Sequence, residues 1–146
     1  MTTTSPTETI LVVDDEPPIR HFVRQVLESE GYQLLVACNG DEALEIAECH
    51  PAPIDLLLTD IVMPRMDGFM LRDRLAASRP GIRSLFLSGY ADHSVAVRGG
   101  LQESHEAFLP KPFTPDLLLR SIRRRLSSAP HPLASPSPQD ADSPVA

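Results

Sequence analysis

The stretch ILVVDD, residues 10–15, is an unbroken apolar run that ends in two carboxylates. The apolar part, residues 10–13, has four short counterparts further along the chain, at residues 34–37, 55–59, 85–87 and 107–109. Short runs that are continuous rather than alternating in polarity are typical of parallel strands buried on both faces. The opening stretch therefore predicts an inner strand of a parallel sheet, with its acidic end at the sheet edge.

Amphipathic helical patterns separate these runs. The first ends at Gly31, and its apolar stripe consists of Ile19, Phe22, Val23, Val26 and Leu27. The second starts within residues 39–41, and the third follows Asp67-Gly68 and ends before Pro80. The last follows Thr114, a good N-cap, and has proline at its first position.

Strands that alternate with helices predict an α/β fold. With five strands and right-handed crossovers, we expect a flavodoxin-like doubly wound parallel sheet of order 2-1-3-4-5. The fourth helix, within residues 91–104, is expected to be short or broken. Gly99 and Gly100 lie inside it, and each glycine costs a helix interior about 1 kcal/mol relative to alanine.

Composition divides the chain of 146 residues into three parts. Residues 1–7 are polar and are expected to form a flexible N-terminus. Residues 8–127 are expected to form one folded domain. Residues 128–146 are rich in proline, serine and alanine, a composition that buries too little apolar surface to become ordered, so we expect a disordered tail.

Charge and hydropathy exclude several classes of protein. The net charge of −7 argues against direct nucleic-acid binding, which favours a basic surface. No apolar run approaches the roughly 20 residues that span a membrane, and the N-terminus lacks the basic start of a secretory signal. Cys38 and Cys49 match neither a metal-site spacing nor a disulfide framework. A cytoplasmic protein with free thiols and no membrane contact is therefore expected.

A cluster of four arginines on the last helix has two interpretations. These are Arg120, Arg123, Arg124 and Arg125. They could form a nucleic-acid patch, or they could complement the negative end of the helix dipole and solvate its outer face. The acidic net charge favours the second interpretation.

Polar residues follow the predicted strands at the edge where their carboxyl ends meet. Asp14 and Asp15 follow the first strand, Asp60 the third, Ser88 the fourth and Lys111 the fifth. In a doubly wound sheet, ligands bind at this edge, at the switch point between strands 1 and 3. Alone, an Asp-Asp pair is more often a turn or a helix cap, and a lysine before a proline is more often a surface residue. Because Asp14, Asp15 and Lys111 all follow predicted strands at the same edge of the sheet, a ligand-binding site is favoured over these separate interpretations.

Three carboxylates in one place repel each other, which calls for a cation. Ligands that are all oxygen favour a hard divalent ion, Mg²⁺ or Mn²⁺. Such a site suits phosphoryl transfer, in which positioning and charge neutralisation supply most of the catalysis. Asp60 would be the nucleophilic carboxylate, Lys111 would neutralise phosphoryl oxygens, and Ser88 would donate a hydrogen bond to one of them.

Four segments in order resemble the signature of response-regulator receiver domains. They are ILVVDDEP, DLLLTDIVMPRMDG, FLSGYAD and AFLPKPF. The resemblance covers residues 8–127, and the sequence around SGYAD and FLPKPF is most similar to that of receivers of hybrid sensor kinases. It implies a single-domain response regulator that takes its phosphoryl group from a sensor histidine kinase or a histidine phosphotransfer protein.

The resemblance also implies a role for each matching residue. Asp60 is the phosphoacceptor and, with Asp15 and the backbone carbonyl of Val62, a direct metal ligand, while Asp14 holds a metal-bound water. Lys111 and Ser88 contact the phosphoryl group, and Ser88 also serves as the switch hydroxyl.

Two further implications concern the end of the last strand. Phe108 lies at the position of the switch aromatic, which is often tyrosine, so the resemblance does not extend to signalling that needs a tyrosine hydroxyl. The Lys111–Pro112 peptide bond is expected to be cis.

The implied protein is not an enzyme in the usual sense. It would assist its own phosphorylation and dephosphorylation, and act either as a phosphorelay component or as a switched binding module.

Two rival functions use the same edge of the sheet. A small flavoprotein would bind flavin phosphate after strand 1, but the acidic residues there would repel a phosphate lacking a cation. A hydrolase with an aspartyl-phosphate intermediate needs an acid/base two residues after the nucleophile, and here that position is Val62.

Overall fold

A computed structural model describes residues 8–89 and 107–127. The five strands are β1 (Thr9–Val13), β2 (Gln33–Ala37), β3 (Leu56–Asp60), β4 (Arg83–Ser88) and β5 (Ala107–Pro110). The described helices are α1 (Pro17–Ser29), α2 (Gly40–Cys49), α3 (Gly68–Ser78) and α4 (Pro115–Leu126). The expectations for a flexible N-terminus, a short or broken helix within residues 91–104 and a disordered tail lie outside the described residues.

The strands form one parallel sheet in the order β2-β1-β3-β4-β5. This confirms the predicted order and places β1 and β3 side by side at the centre. Both central strands are buried along their whole length. That burial matches their continuous apolar sequences, since a strand covered on both faces has no polar side.

Helices cover both faces of the sheet, and each face has its own core. One face packs against α2 and α3 through side chains such as Leu11, Leu57 and Leu71. The other packs against α1 and α4 through side chains such as Ile10, Leu58 and Ile122. Successive residues of one strand point to opposite faces, so β1 supplies Ile10 to one core and Leu11 to the other.

The third strand begins one residue later than predicted, at Leu56 instead of residue 55, and it includes Asp60. The reason lies in Asp55, whose carboxylate accepts a hydrogen bond from the Thr9 backbone N–H at 2.9 Å. Its side chain therefore anchors the start of β1, while its backbone bonds to Thr9 and Arg83. Asp60 is the last residue of the strand, paired with Leu87 of β4.

Four predicted helix ends are confirmed, at Gly31, at residues 39–41, before Pro80 and after Thr114, whereas α3 begins at Gly68, one residue earlier than predicted. Gly31 follows α1 with a φ of 91°, a left-handed conformation that glycine adopts without steric cost. Asn39, Asp67 and Thr114 are the N-caps, and each side chain accepts a hydrogen bond from a backbone N–H in its helix's first turn. Among the described residues, no helix is long and apolar enough to cross a bilayer.

Three of the four arginines on the last helix have partners within the chain. Arg120 pairs with Asp116 at 2.7 Å and Arg123 with Glu30 at 2.8 Å. Arg125 donates a hydrogen bond to the Ser84 carbonyl at 2.8 Å. Two of these contacts join the last helix to the end of α1 and to β4, and the choice between the two interpretations stays a prediction.

The cap of α4 supports a prediction. Thr114 Oγ1 accepts from the Leu117 N–H at 3.1 Å. We expect Thr114→Ala to lower the free energy of unfolding by about 1 kcal/mol, because that N–H loses its partner. Urea denaturation followed by circular dichroism would measure the loss. Thr114→Ser keeps the acceptor and should fall close to wild type, and equal losses in both variants would contradict a capping role.

Candidate phosphoacceptor and cation site

The site lies at the carboxyl ends of the two central strands. Asp14 follows β1 and is fully buried, Asp60 ends β3 and is 5% exposed, and Asp15 is exposed. One carboxylate oxygen from each of the three lies within 4.8 Å of the other two. The structure thus brings together the three carboxylates that the sequence predicted.

Asp14 is held in place on several sides. Its Oδ1 accepts a hydrogen bond from the Glu16 N–H at 2.9 Å, and its carbonyl accepts one from Arg20 Nη1 at 2.7 Å. Burial raises the pKa of the Asp14 carboxyl above its ordinary value, although the Glu16 hydrogen bond and the Lys111 ammonium oppose that shift. A buried carboxylate of this kind needs a positive neighbour.

Asp60 is oriented by its own strand end. Its Oδ1 accepts the backbone N–H of Ile61 at 2.9 Å. The hydroxyl of the neighbouring Thr59, which is fully buried, donates to the Asp60 carbonyl at 2.9 Å. These contacts fix the backbone and the side chain of Asp60 at the edge of the sheet.

Lys111 places its ammonium among the carboxylates. Its Nζ lies 3.2 Å from Asp14 Oδ2, 3.4 Å from Asp60 Oδ1 and 3.7 Å from Glu16 Oε1. Burial alone would lower the pKa of Lys111, but the three carboxylates outweigh it and raise the pKa above its ordinary value. The lysine is therefore a fixed positive charge at the site.

The loop that brings in Lys111 also positions Ser88. The Lys111 N–H donates to the Ser88 carbonyl at 2.8 Å, which joins the ends of β4 and β5. The Lys111–Pro112 bond is cis, as predicted. Ser88, whose carbonyl accepts the Lys111 N–H, is half-buried. Val62, two residues after Asp60, has 44% of its surface exposed.

Phe108 lies further from the chemistry, in an aromatic cluster. Its ring centroid is 5.6 Å from that of Phe86 and 6.4 Å from that of Phe69. The sequence reasoning missed Arg72, which is 6% exposed and stands 5.8 Å from the Phe86 centroid. No periodicity could have revealed it, because an arginine on a helix ordinarily predicts a solvent-facing position.

The donor set fits a divalent cation. Within the described part of the chain, Asp14 Oδ2 is buried and accepts no hydrogen bond, although it faces the charge of Lys111. A second positive partner would relieve that oxygen and the repulsion between the carboxylates. Oxygen ligands of this type are those that Mg²⁺ takes, commonly through one or two carboxylates and several waters.

Known proteins similar to this chain place it in context. The sequence profile of the response regulator receiver domain matches residues 10–123. The response regulator receiver protein CpdR of Brucella abortus (strain 2308) is 36% identical over 121 residues, which are 82% of this chain and 98% of CpdR. The sensor kinase CckA of the same organism is 38% identical over 118 residues, which are 81% of this chain.

A solved structure agrees with these sequence matches. The receiver domain of the hybrid histidine kinase CckA superposes with a TM-score of 0.68 and 31% identity, over 82% of this chain and 99% of that domain. The chain spans only 12% of the Brucella kinase CckA and about half the length of several other curated relatives.

Proposed function

This chain belongs to the response regulator receiver domain family of two-component signalling, and on that premise we propose that it accepts a phosphoryl group on Asp60. The donor would be the phosphohistidine of a sensor histidine kinase or of a histidine phosphotransfer protein. The observation that carries the proposal is the group of Asp14, Asp15 and Asp60, whose ligand atoms lie within 4.8 Å of one another with Lys111 in contact.

In the proposed transfer, a carboxylate oxygen of Asp60 bonds to phosphorus. The bond from phosphorus to the donor imidazole nitrogen breaks, and its electron pair stays on that nitrogen. Lys111 Nζ, 3.4 Å from Asp60 Oδ1, is placed to neutralise a phosphoryl oxygen. Ser88 is proposed to donate a hydrogen bond from its hydroxyl to another phosphoryl oxygen. Phe108 is proposed to transmit the conformational change that follows phosphorylation to the protein surface.

Asp15, Asp60 and the carbonyl of Val62 are the proposed direct ligands of Mg²⁺ or Mn²⁺, with Asp14 holding a bound water. A bound cation would neutralise the phosphoryl oxygens as charge develops on them. Asp14 would keep its place through the Glu16 and Arg20 hydrogen bonds. The chain's own part is thus to hold the acceptor and its charges in a fixed geometry.

The alternatives have less support. At the mouth of the site, Asp15 and Glu16 are exposed carboxylates, and they would repel the phosphate of a flavin. Val62 stands where a phosphomonoester hydrolase would need an acid/base. We therefore propose a phosphorylatable module, acting either in a phosphorelay or as a switched binding surface, and not an enzyme that turns over a free metabolite.

The experiment that tests the function is incubation of the purified chain with acetyl phosphate and Mg²⁺. We expect intact-mass spectrometry to show one added phosphoryl group that hydroxylamine removes, as it does from an acyl phosphate. Removal of Mg²⁺ by a chelator should prevent the addition. A chain that gains no phosphoryl group from acetyl phosphate, and none from a phosphorylated histidine phosphotransfer protein, would refute the proposal.

The cation site gives a separate prediction on stability. A ligand that binds only the folded state stabilises it by mass action, by about 1.4 kcal/mol when Mg²⁺ is present at ten times its dissociation constant. We expect millimolar Mg²⁺ to raise the melting temperature of the wild type and to leave that of Asp15→Asn nearly unchanged. Differential scanning calorimetry with and without Mg²⁺ would measure both. Equal shifts in the two proteins would exclude Asp15 as a ligand.

A further inference from the structure

Glu16 occupies the N-cap position of α1, but its side chain caps nothing there. The first two helical residues are Pro17 and Pro18, which have no N–H to be capped. The first free N–H groups of the helix, on Ile19 and Arg20, both bond to the Glu16 carbonyl. No N–H of the first turn therefore engages the Glu16 carboxylate.

The Glu16 carboxylate extends toward the phosphoacceptor site. Glu16 Oε1 lies 3.7 Å from Lys111 Nζ. The other two carboxylates in contact with that ammonium, Asp14 and Asp60, are buried, whereas the Glu16 side chain is 60% exposed. Glu16 thus adds a fourth negative charge to the site, on its solvent side, and outside the set of three that could ligate a cation.

Resting on the function proposed above, we infer that Glu16 is a specificity-determining residue that disfavours small free phosphoanions as donors. A phosphate dianion approaching Asp60 must pass the negative charge of Glu16. Lys111, which would attract the dianion, is already in contact with Glu16 as well as with Asp14 and Asp60. A phosphohistidine on a protein surface can bring its own cations to offset Glu16, and a small acyl phosphate cannot. The charge therefore favours a donor with a basic surface around its phosphohistidine.

The test compares Glu16→Gln with the wild type, using acetyl phosphate as the probe at saturating Mg²⁺. In this reaction an Asp60 oxygen bonds to phosphorus, and the bond from phosphorus to the acetyl oxygen breaks with its electron pair leaving on acetate. We expect the variant to be phosphorylated about threefold faster at low ionic strength, the size that one partly exposed charge permits. The difference should shrink as salt screens the charge.

Glu28→Gln is the matched control. It removes the same charge from the same helix, where Glu28 is exposed and pairs with Arg24 at 3.2 Å. We expect its phosphorylation rate to equal that of the wild type. If Glu28→Gln is phosphorylated as much faster than the wild type as Glu16→Gln is, the change in net charge alone explains the effect, and the inference is overturned.

Binding of Mn²⁺, followed by electron paramagnetic resonance, supplies a second readout with the opposite sign. An electrostatic role predicts that Glu16→Gln binds Mn²⁺ up to about threefold more weakly while it reacts faster with the anionic donor. A merely structural role of Glu16 predicts that the substitution weakens Mn²⁺ binding and also slows phosphorylation.

The outcomes separate this inference from the proposed function. If the wild type is phosphorylated and Glu16→Gln reacts at the same rate or more slowly, only the role of Glu16 is refuted. If neither the wild type nor Glu16→Gln takes up a phosphoryl group, the proposed function is refuted and the role of Glu16 with it.

Discussion

Asp60→Asn is expected to abolish phosphorylation of this chain by acetyl phosphate in the presence of Mg²⁺. The amide has the shape of the carboxylate, and its oxygen can still accept the Ile61 N–H that Asp60 accepts at 2.9 Å. It cannot act as the nucleophile, however, because the amide oxygen carries no negative charge. The loss should therefore be complete although the backbone stays in place. Intact-mass spectrometry after a timed incubation would measure it.

The control for this prediction is Asp41→Asn. Asp41 is an exposed carboxylate in α2 that pairs with Arg65 at 3.0 Å, so its loss changes the net charge equally but leaves the site complete. We expect it to be phosphorylated at the wild-type level. If the Asp60→Asn protein takes up phosphoryl groups as the wild type does, another residue is the acceptor.

The second large effect is expected from Gly68→Ala, at the start of α3. A Cβ added to Gly68 would lie less than 3.0 Å from the carbonyl oxygen of Asp60, a separation that real Cβ atoms essentially never show. The obstacle is the backbone of a buried strand rather than a flexible side chain. We expect the free energy of unfolding to fall by about 3 kcal/mol, as overpacking of a core does. Urea denaturation would measure the loss.

The same substitution should slow phosphorylation. Gly68 donates its N–H to the Ile61 carbonyl at 2.7 Å, so a shift of the helix start displaces the strand end that carries the acceptor. A displacement near 1 Å can cost on the order of a hundredfold in rate when the reacting groups must be aligned. We expect a slower reaction even at temperatures where the variant remains folded.

Gly81→Ala is the matched control for Gly68→Ala. A Cβ at Gly81 meets nothing within 4 Å, and its φ lies outside the left-handed region. Alanine there should be neutral or stabilise the fold by about 0.5 kcal/mol, because it restricts the unfolded chain. Helix propensity alone predicts that Gly68→Ala is also stabilising. A Gly68→Ala protein as stable as Gly81→Ala would show that the close contact costs nothing.

The sequence predicted most of the site because the sheet imposes a simple rule. Residues that directly follow parallel strands must meet at one edge, and this rule alone brings Asp14, Asp60 and Lys111 together. Glu16 escaped it, because it lies three residues beyond the end of β1, in the turn before α1. A signal was present: Glu16 is acidic, adjoins Asp15 and precedes Pro17.

The roles of the residues are less fully predicted than their positions. The roles of Val62 and Phe108 came from resemblance to a family, and those of Asp15 and Ser88 from the residues together with that resemblance. All four stay predictions. The structure adds physical constraints to that picture. It shows that Asp14 is completely buried and that Asp14, Asp60 and Glu16 all contact the same lysine.

The sequence by itself determined the alternation of strands and helices, and through it the fold class with its strand order, together with several helix ends and the edge at which the carboxylates gather. These properties follow from local patterns, since apolar runs, caps and glycines act on the residues next to them. Only the tertiary structure decided that Lys111 is shared among three carboxylates, that Arg72 is buried beside the rings of Phe69 and Phe86, and that Gly68 lies against the Asp60 carbonyl. The contacts of Lys111, of Arg72 with Phe86 and of Gly68 with Asp60 join residues at least eight positions apart in the chain. Their distances depend on how the whole sheet twists and packs against its helices.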